Sequence, residues 1–292
     1  MNEPSAFHNV LIPLDGSDTS TNVLLFMKPI CGADGVTTTL LRVVTLAEQE
    51  QLGREARSSA ERGLELLKRD LERQGWTVQT RVERGDPAER ILCCAGEAGF
   101  DLMAMFSHGR SGASRITRGS VAERVLRRSR VPVLLCTPHS LPAVGKLEPF
   151  KKVVVPLDGS DLADQVLSPV GALALSCGSE VTLLRVEIDH YPGPPPPDTN
   201  SEWWTPERLE ASVAPLKGQF ELLKKSGVDV KRVTVYDQAV QGILSAASNA
   251  DLVAMTTHGR SGVSRWFFGS VAEAVLREVR CPLLVWRSTE ES

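Results

Sequence analysis

The sequence predicts an α/β fold made of two tandem, doubly wound domains, each with a five-stranded parallel sheet. Three observations predict it. The chain repeats itself: VLIPLDGSD (Val10–Asp18) returns as VVVPLDGSD (Val153–Asp161), and HGRSGASRITRGSVAERVL (His108–Leu126) returns as HGRSGVSRWFFGSVAEAVL (His258–Leu276). Short apolar runs alternate with longer amphipathic stretches, as parallel strands covered on both faces by crossover helices require. A length of 292 residues suffices for two cores.

In the first half, strands are expected near 9–14, 38–44, 76–83, 101–106 and 132–136, with helices near 18–31, 50–74, 87–98 and 120–129. The first strand, VLIPL, is apolar throughout, and Gly16-Ser17 turns its exit into a helix. LLRV (Leu40–Val43) carries the second strand and recurs as LLRV (Leu183–Val186). DLMAM (Asp101–Met105) begins the fourth and recurs as DLVAM (Asp251–Met255). Val121, Val125 and Leu126 form the stripe that docks the last helix. VPVLLC (Val131–Cys136) closes the unit as an apolar run. The second half repeats the pattern, with strands near 152–157, 180–186, 228–235, 251–256 and 282–286. Domains are therefore expected over 1–137 and 151–292, joined by a Pro/Gly-containing linker at 138–150. One insertion, Asp189–Glu207, carries four consecutive prolines and reads as an extended excursion, whose Trp203 and Trp204 either fold back onto the domain or mark a contact surface.

Composition narrows the function. A net charge of −3 offers no global attraction for nucleic acid. The N-terminal residues lack a signal-peptide pattern, and no apolar stretch approaches the roughly 18 residues of a membrane span. The six cysteines form no CxxC pair, so reduced thiols and a cytoplasmic location are expected.

Ligands of such folds bind at the carboxyl ends of strands. There, Asp15 can accept a ribose hydroxyl or cap the following helix, and both roles fit. After the fourth strand, Gly109 reverses the chain and Gly119-Ser120 opens a helix, whose free N–H groups and dipole attract phosphate. Arg110, Arg115 and Arg118 add positive charge. The loop is neither GxxxxGK[ST] nor GxGxxG. His108 and His258 shape it, for adjacent Ser107 and Thr257 point to opposite faces, and neither GxSxG nor HExxH occurs. Glu123 and Glu273 complement a helix dipole.

PLDGS at the first strand, with HGRSG…GSVAE at the fourth, resembles the universal stress protein family, in particular a tandem member of its ATP-binding branch. The resemblance implies a Rossmann-like fold of the adenine nucleotide alpha hydrolase kind, ATP as ligand (with or without magnesium), and a nucleotide-dependent stress-response regulator with at most slow hydrolysis. The alternative is a nucleotide-free interaction protein on the same scaffold. The implied ligand-binding residues are Pro13, Asp15, Val43, Met105, Gly109, Gly119, Ser120 and Val121, and in the second half Pro156, Asp158, Val186, Met255, Gly259, Gly269, Ser270 and Val271. Val43 and Val186 would read the adenine edge through their backbone. The first glycine of the family's Gly-x2-Gly-x9-Gly-[Ser/Thr] pattern is replaced by Phe106 and Thr256, and Phe106 is expected to narrow the ribose pocket. Gly85 after the third strand is kept, whereas Asp237 stands at the equivalent point. The resemblance also implies that the last strands pair the two halves within the chain, with a homodimer possible beyond that.

Overall fold

The computed structural model describes residues 7–53, 55–97, 99–107, 121–141, 150–187, 206–257 and 269–287. The first half runs β1 (Asn9–Leu14), α1 (Val23–Cys31), β2 (Thr37–Val44), α2 (Leu46–Leu52), α3 (Glu55–Glu72), β3 (Thr77–Arg84), α4 (Pro87–Gly96), β4 (Leu102–Phe106), α5 (Val121–Arg128) and β5 (Val133–Cys136). The second runs β6 (Lys152–Pro156), α6 (Asp161–Asp164), α7 (Leu167–Cys177), β7 (Glu180–Glu187), α8 (Pro206–Val213), α9 (Lys217–Lys225), β8 (Asp229–Tyr236), α10 (Ala239–Ala247), β9 (Leu252–Thr256), α11 (Ser270–Glu278) and β10 (Leu283–Trp286). Trp203 and Trp204, and with them the choice between fold-back and contact surface, lie outside the described residues.

Pairing within each half is parallel, in the order β3-β2-β1-β4-β5 and its counterpart β8-β7-β6-β9-β10. β5 and β10 pair antiparallel, with Leu134 opposite Leu284, so the two five-stranded sheets fuse into one of ten strands. The antiparallel seam relates the halves by a local twofold, as a symmetric dimer interface would.

Strand alternation divides the core into two layers. On one face, Val10, Ile12, Leu40, Leu102 and Ala104 pack against α1 and α3, and the same layer continues over α7 and α9. On the other, Leu11, Leu41, Val43, Met103 and Met105 pack against α4 and α5, continuing over α10 and α11. Burying each such side chain contributes about 1.5–3 kcal/mol. Phe7 and Phe150, at matching points of the two copies, are both buried in the first layer.

One expected helix divides. The stretch 50–74 is two helices, α2 and α3, separated by Gly53 at φ 55° and ψ −130°. α2 starts early because Thr45 and Glu48 form a reciprocal cap: the Thr45 hydroxyl accepts from the Glu48 N–H, and the Glu48 carboxylate accepts from the Thr45 N–H. α1 is likewise preceded by a 3-10 turn, Ser20–Asn22.

Candidate functional site

The winding direction reverses between β1 and β4, since β1–β3 build outward one way and β4–β5 the other. Such a switch point leaves a crevice beyond the strands' carboxyl ends. A cleft of about 360 Å³ lies there, lined by residues of β1, β2, β4, α2, α4 and α5. That volume is at the lower end of ordinary small-molecule sites, about 300–1,000 Å³.

Leu41 and Val43 from β2, Ile91 from α4 and Met105 from β4 give the cleft an apolar slot. Asp15, Ser20, Thr45, Glu48 and Ser107 supply its polar groups, Pro13 lines the β1 exit, and Val121 and Ala122 bring the first turn of α5 to the wall. Of the implied residues, Pro13, Asp15, Val43, Met105 and Val121 thus meet in one cavity although 108 positions separate the first from the last. Pro156, Asp158, Val186 and Met255 hold the corresponding ends of β6, β7 and β9, while Gly269, Ser270 and Val271 open α11. Gly109, Gly119, Ser120 and Gly259 lie outside the described residues, as do His108, His258 and the loop arginines.

Phe106 does not fill the cleft. It touches the wall, but alternation along β4 turns it opposite to Met105, and it is buried with Val10, Ile12 and Ala104 in the other layer.

Asp15 and Asp158 share one geometry. Oδ1 of each accepts both the N–H and the hydroxyl of the serine two residues on: Ser17 at 2.9 and 2.6 Å, Ser160 at 3.0 and 2.6 Å. Those serines in turn accept from Ser20 N and Ala163 N, so each aspartate braces a helix start. Gly16 and Gly159 make the turn at φ 85° and 77°.

Arg42 and Glu48 also line the cleft, although the sequence motifs did not single them out. Arg42 donates through Nη1 to the Val43 carbonyl and through Nη2 to Glu48. Burial works against the charge of Glu48, but the Thr45 N–H and hydroxyl and the Arg42 cation outweigh it and hold the carboxyl below the usual range. The signal was present in Thr45-Leu46-Ala47-Glu48, a capping-box pattern one residue beyond the repeated LLRV. Glu123 and Glu273 each pair with an arginine one turn on, Arg127 at 2.6 Å and Arg277 at 3.0 Å.

These residues fit a nucleotide in kind: an apolar slot for a base, polar groups around it, and a helix start nearby. Among the described residues, no three His, Cys, Asp or Glu side chains converge as a metal site.

The sequence profile of the universal stress protein family matches residues 6–137 and 149–287. The chain belongs to that family. A universal stress protein of Mycobacterium tuberculosis is 26% identical over 225 residues, covering 73% of this chain and 70% of its own length. One from Methanocaldococcus jannaschii is 28% identical over 145 residues, 47% of this chain and 81% of its own. The crystal structure of a universal stress protein from Archaeoglobus fulgidus shares the fold along nearly the whole length, with a TM-score of 0.72 at 23% identity over 99% of this chain and 98% of that one.

Proposed function

We propose that this protein binds an adenine nucleotide, ATP, at the carboxyl edge of its sheet and acts as a nucleotide-dependent stress-response regulator. The observation that carries the reading is the convergence of Pro13, Asp15, Val43, Met105 and Val121 on one cleft at the switch point of the first half. The base would lie in the slot of Leu41, Val43, Ile91 and Met105, and the phosphates toward Gly119, Ser120 and Val121 at the start of α5. Gly259, Gly269, Ser270 and Val271 would do the same beside α11.

Hydrolysis would be slow. The Glu48 carboxylate at the wall already accepts from Thr45 and Arg42, so it is committed to them rather than to activating a water. Six free cysteines suit a reducing cytoplasm, and no helix among the described residues is long and apolar enough to cross a membrane. One observation favours the nucleotide-free scaffold instead: the Asp15 and Asp158 carboxylates already brace their own turns. The two readings separate when purified protein is denatured and the released small molecules are identified. Adenine nucleotide in the supernatant supports binding; its absence at every purification, with no response to added ATP, leaves the scaffold.

A further inference from the structure

Two helices that wall the first cleft are tied to each other by charge. Pro87 and Ile91 of α4 and Val121 and Ala122 of α5 line the cavity. Asp86, next to Pro87, takes both terminal nitrogens of Arg124, Nη1 at 3.0 Å. Glu89 lies 3.6 Å from Arg124 Nη2 and accepts from Arg128. Asp86 also caps α4, accepting the Glu89 N–H at 3.0 Å, which fixes where its carboxylate stands. Two carboxylates of α4 thus meet two guanidiniums of α5.

The second copy keeps the helices without the network. Gln238, Gln241, Ala274 and Glu278 stand at the four matching places, where no pair of opposite charges can form. The pair internal to the last helix is kept, Glu123–Arg127 as Glu273–Arg277, so the difference lies in the tie between helices. α10 rests instead on β7: a Cβ on Gly242 would stand 2.9 Å from Cγ1 of Val186, the counterpart of Val43 in the first cleft. At that place the first half has Arg90, which donates to Glu83 of β3 at 2.6 Å. The exit of the second strand shows the same contrast. Arg42 ties β2 to α2 through Glu48, whereas Arg185 bonds Glu187 on its own strand.

A ligand that touches two helices fixes their spacing, and doing so costs ordering free energy when nothing else holds them. Where a network already sets the spacing, less of that cost falls on binding. The Arg124 and Asp86 side chains are 34% and 45% exposed, so the effect is severalfold rather than hundredfold. We infer that Asp86, Glu89, Arg124 and Arg128 are positioning residues of the first-half site, and that they make the two sites unequal. The first half takes its nucleotide more tightly, and the second fills only at higher concentration. This rests on the nucleotide reading above and adds to it a response at two nucleotide levels.

The test is calorimetric titration of ATP into the full chain carrying Gly269→Val, which leaves the first site, or Gly119→Val, which leaves the second. The first site should bind about fivefold more tightly or better. Asp86→Asn with Glu89→Gln keeps the α4 cap, because asparagine also caps, and should weaken the first site by about two- to fivefold. Removing negative charge beside an anionic ligand would by itself tighten binding, so a loss reports the released spacing. Conversely, Gln238→Asp with Ala274→Arg, a change of no net charge, should tighten the second site by about twofold or more. A network that only stabilises the fold would lower the unfolding midpoint when its carboxylates are removed and leave both dissociation constants unchanged. That result contradicts the inference, as does tighter binding in Asp86→Asn with Glu89→Gln. Two identical sites in the parent isotherm also contradict it, a measurement that stands even if every variant fails to fold. No heat from the unsubstituted chain removes the nucleotide reading itself, whereas heat with equal affinities removes this inference alone.

Discussion

Gly16 answers two demands at once. Its φ of 85° lies in the left-handed region, and a Cβ on it would stand 3.0 Å from Arg42 Nε. Gly35 meets only the first demand, with φ 82° and nothing within 4 Å of its virtual Cβ. Gly35→Ala should therefore cost about 1–2 kcal/mol, the ordinary penalty for a side chain in that region. Gly16→Ala should cost more, because Arg42 must also give by a few tenths of an ångström against its bonds to Val43 and Glu48. Urea unfolding of both variants checks this, and equal losses would contradict the tight contact. At this scale the site was partly legible. PLDGS announced a strand exit and a turn, because such turns depend on neighbours in sequence. The seat of Arg42 was not legible, since it depends on where α2 places Glu48.

The first turns of α4 and α5 flank the cleft, and an ion pair joins them. Asp86 caps α4 by accepting from Glu89 N at 3.0 Å, and its carboxylate takes both terminal nitrogens of Arg124 from α5. Those bonds, Arg124 first and the Glu89 N–H second, hold the Asp86 carboxyl below its usual range. A carboxylate depressed in the folded state adds stability above its unfolded pKa, about 3.9, and loses it as pH falls through the folded value. Asp86→Asn should cost less than about 1 kcal/mol at pH 7, because the pair is largely exposed and screened. That cost should shrink toward zero in acid and in high salt. Unfolding curves across pH measure it; a difference that stays constant would mean the charge is irrelevant.

The second half has Gln238 and Ala274 at the matching places, so this brace belongs to the first copy. There α10 sits close to β7 instead, with a Cβ on Gly242 only 2.9 Å from Val186 Cγ1. Element existence was readable from hydrophobic period, as β1 through β5 show. The split of 50–74 into α2 and α3 was not, because both pieces continue one amphipathic stretch and only Gly53 interrupts them.

The β5–β10 seam makes one sheet of two copies, and both core layers cross it. Leu134 and Leu284 face each other at 0% exposure in the first layer. Leu284→Ala should remove about 2–5 kcal/mol and destabilise both halves together, in one calorimetric transition. Two separated transitions would show that the halves fold independently. The outer edges that remain, β3 and β8, carry Arg81, Arg84, Lys231 and Arg232, charges that discourage edge pairing. The repeat was evident in the residues because duplication preserved PLDGS and GSVAE. Apolar final strands announced an edge to be covered, but not the register of Leu134 on Leu284.

Nucleotide binding at the start of α5 and α11 is the central claim, and one titration reaches it most directly. ATP is titrated calorimetrically into the full chain and into a Gly119→Val, Gly269→Val variant whose unfolding midpoint is checked first. Saturable heat in the parent and none in the folded variant is the predicted result. No heat in the parent, or the same heat in both, would contradict the claim.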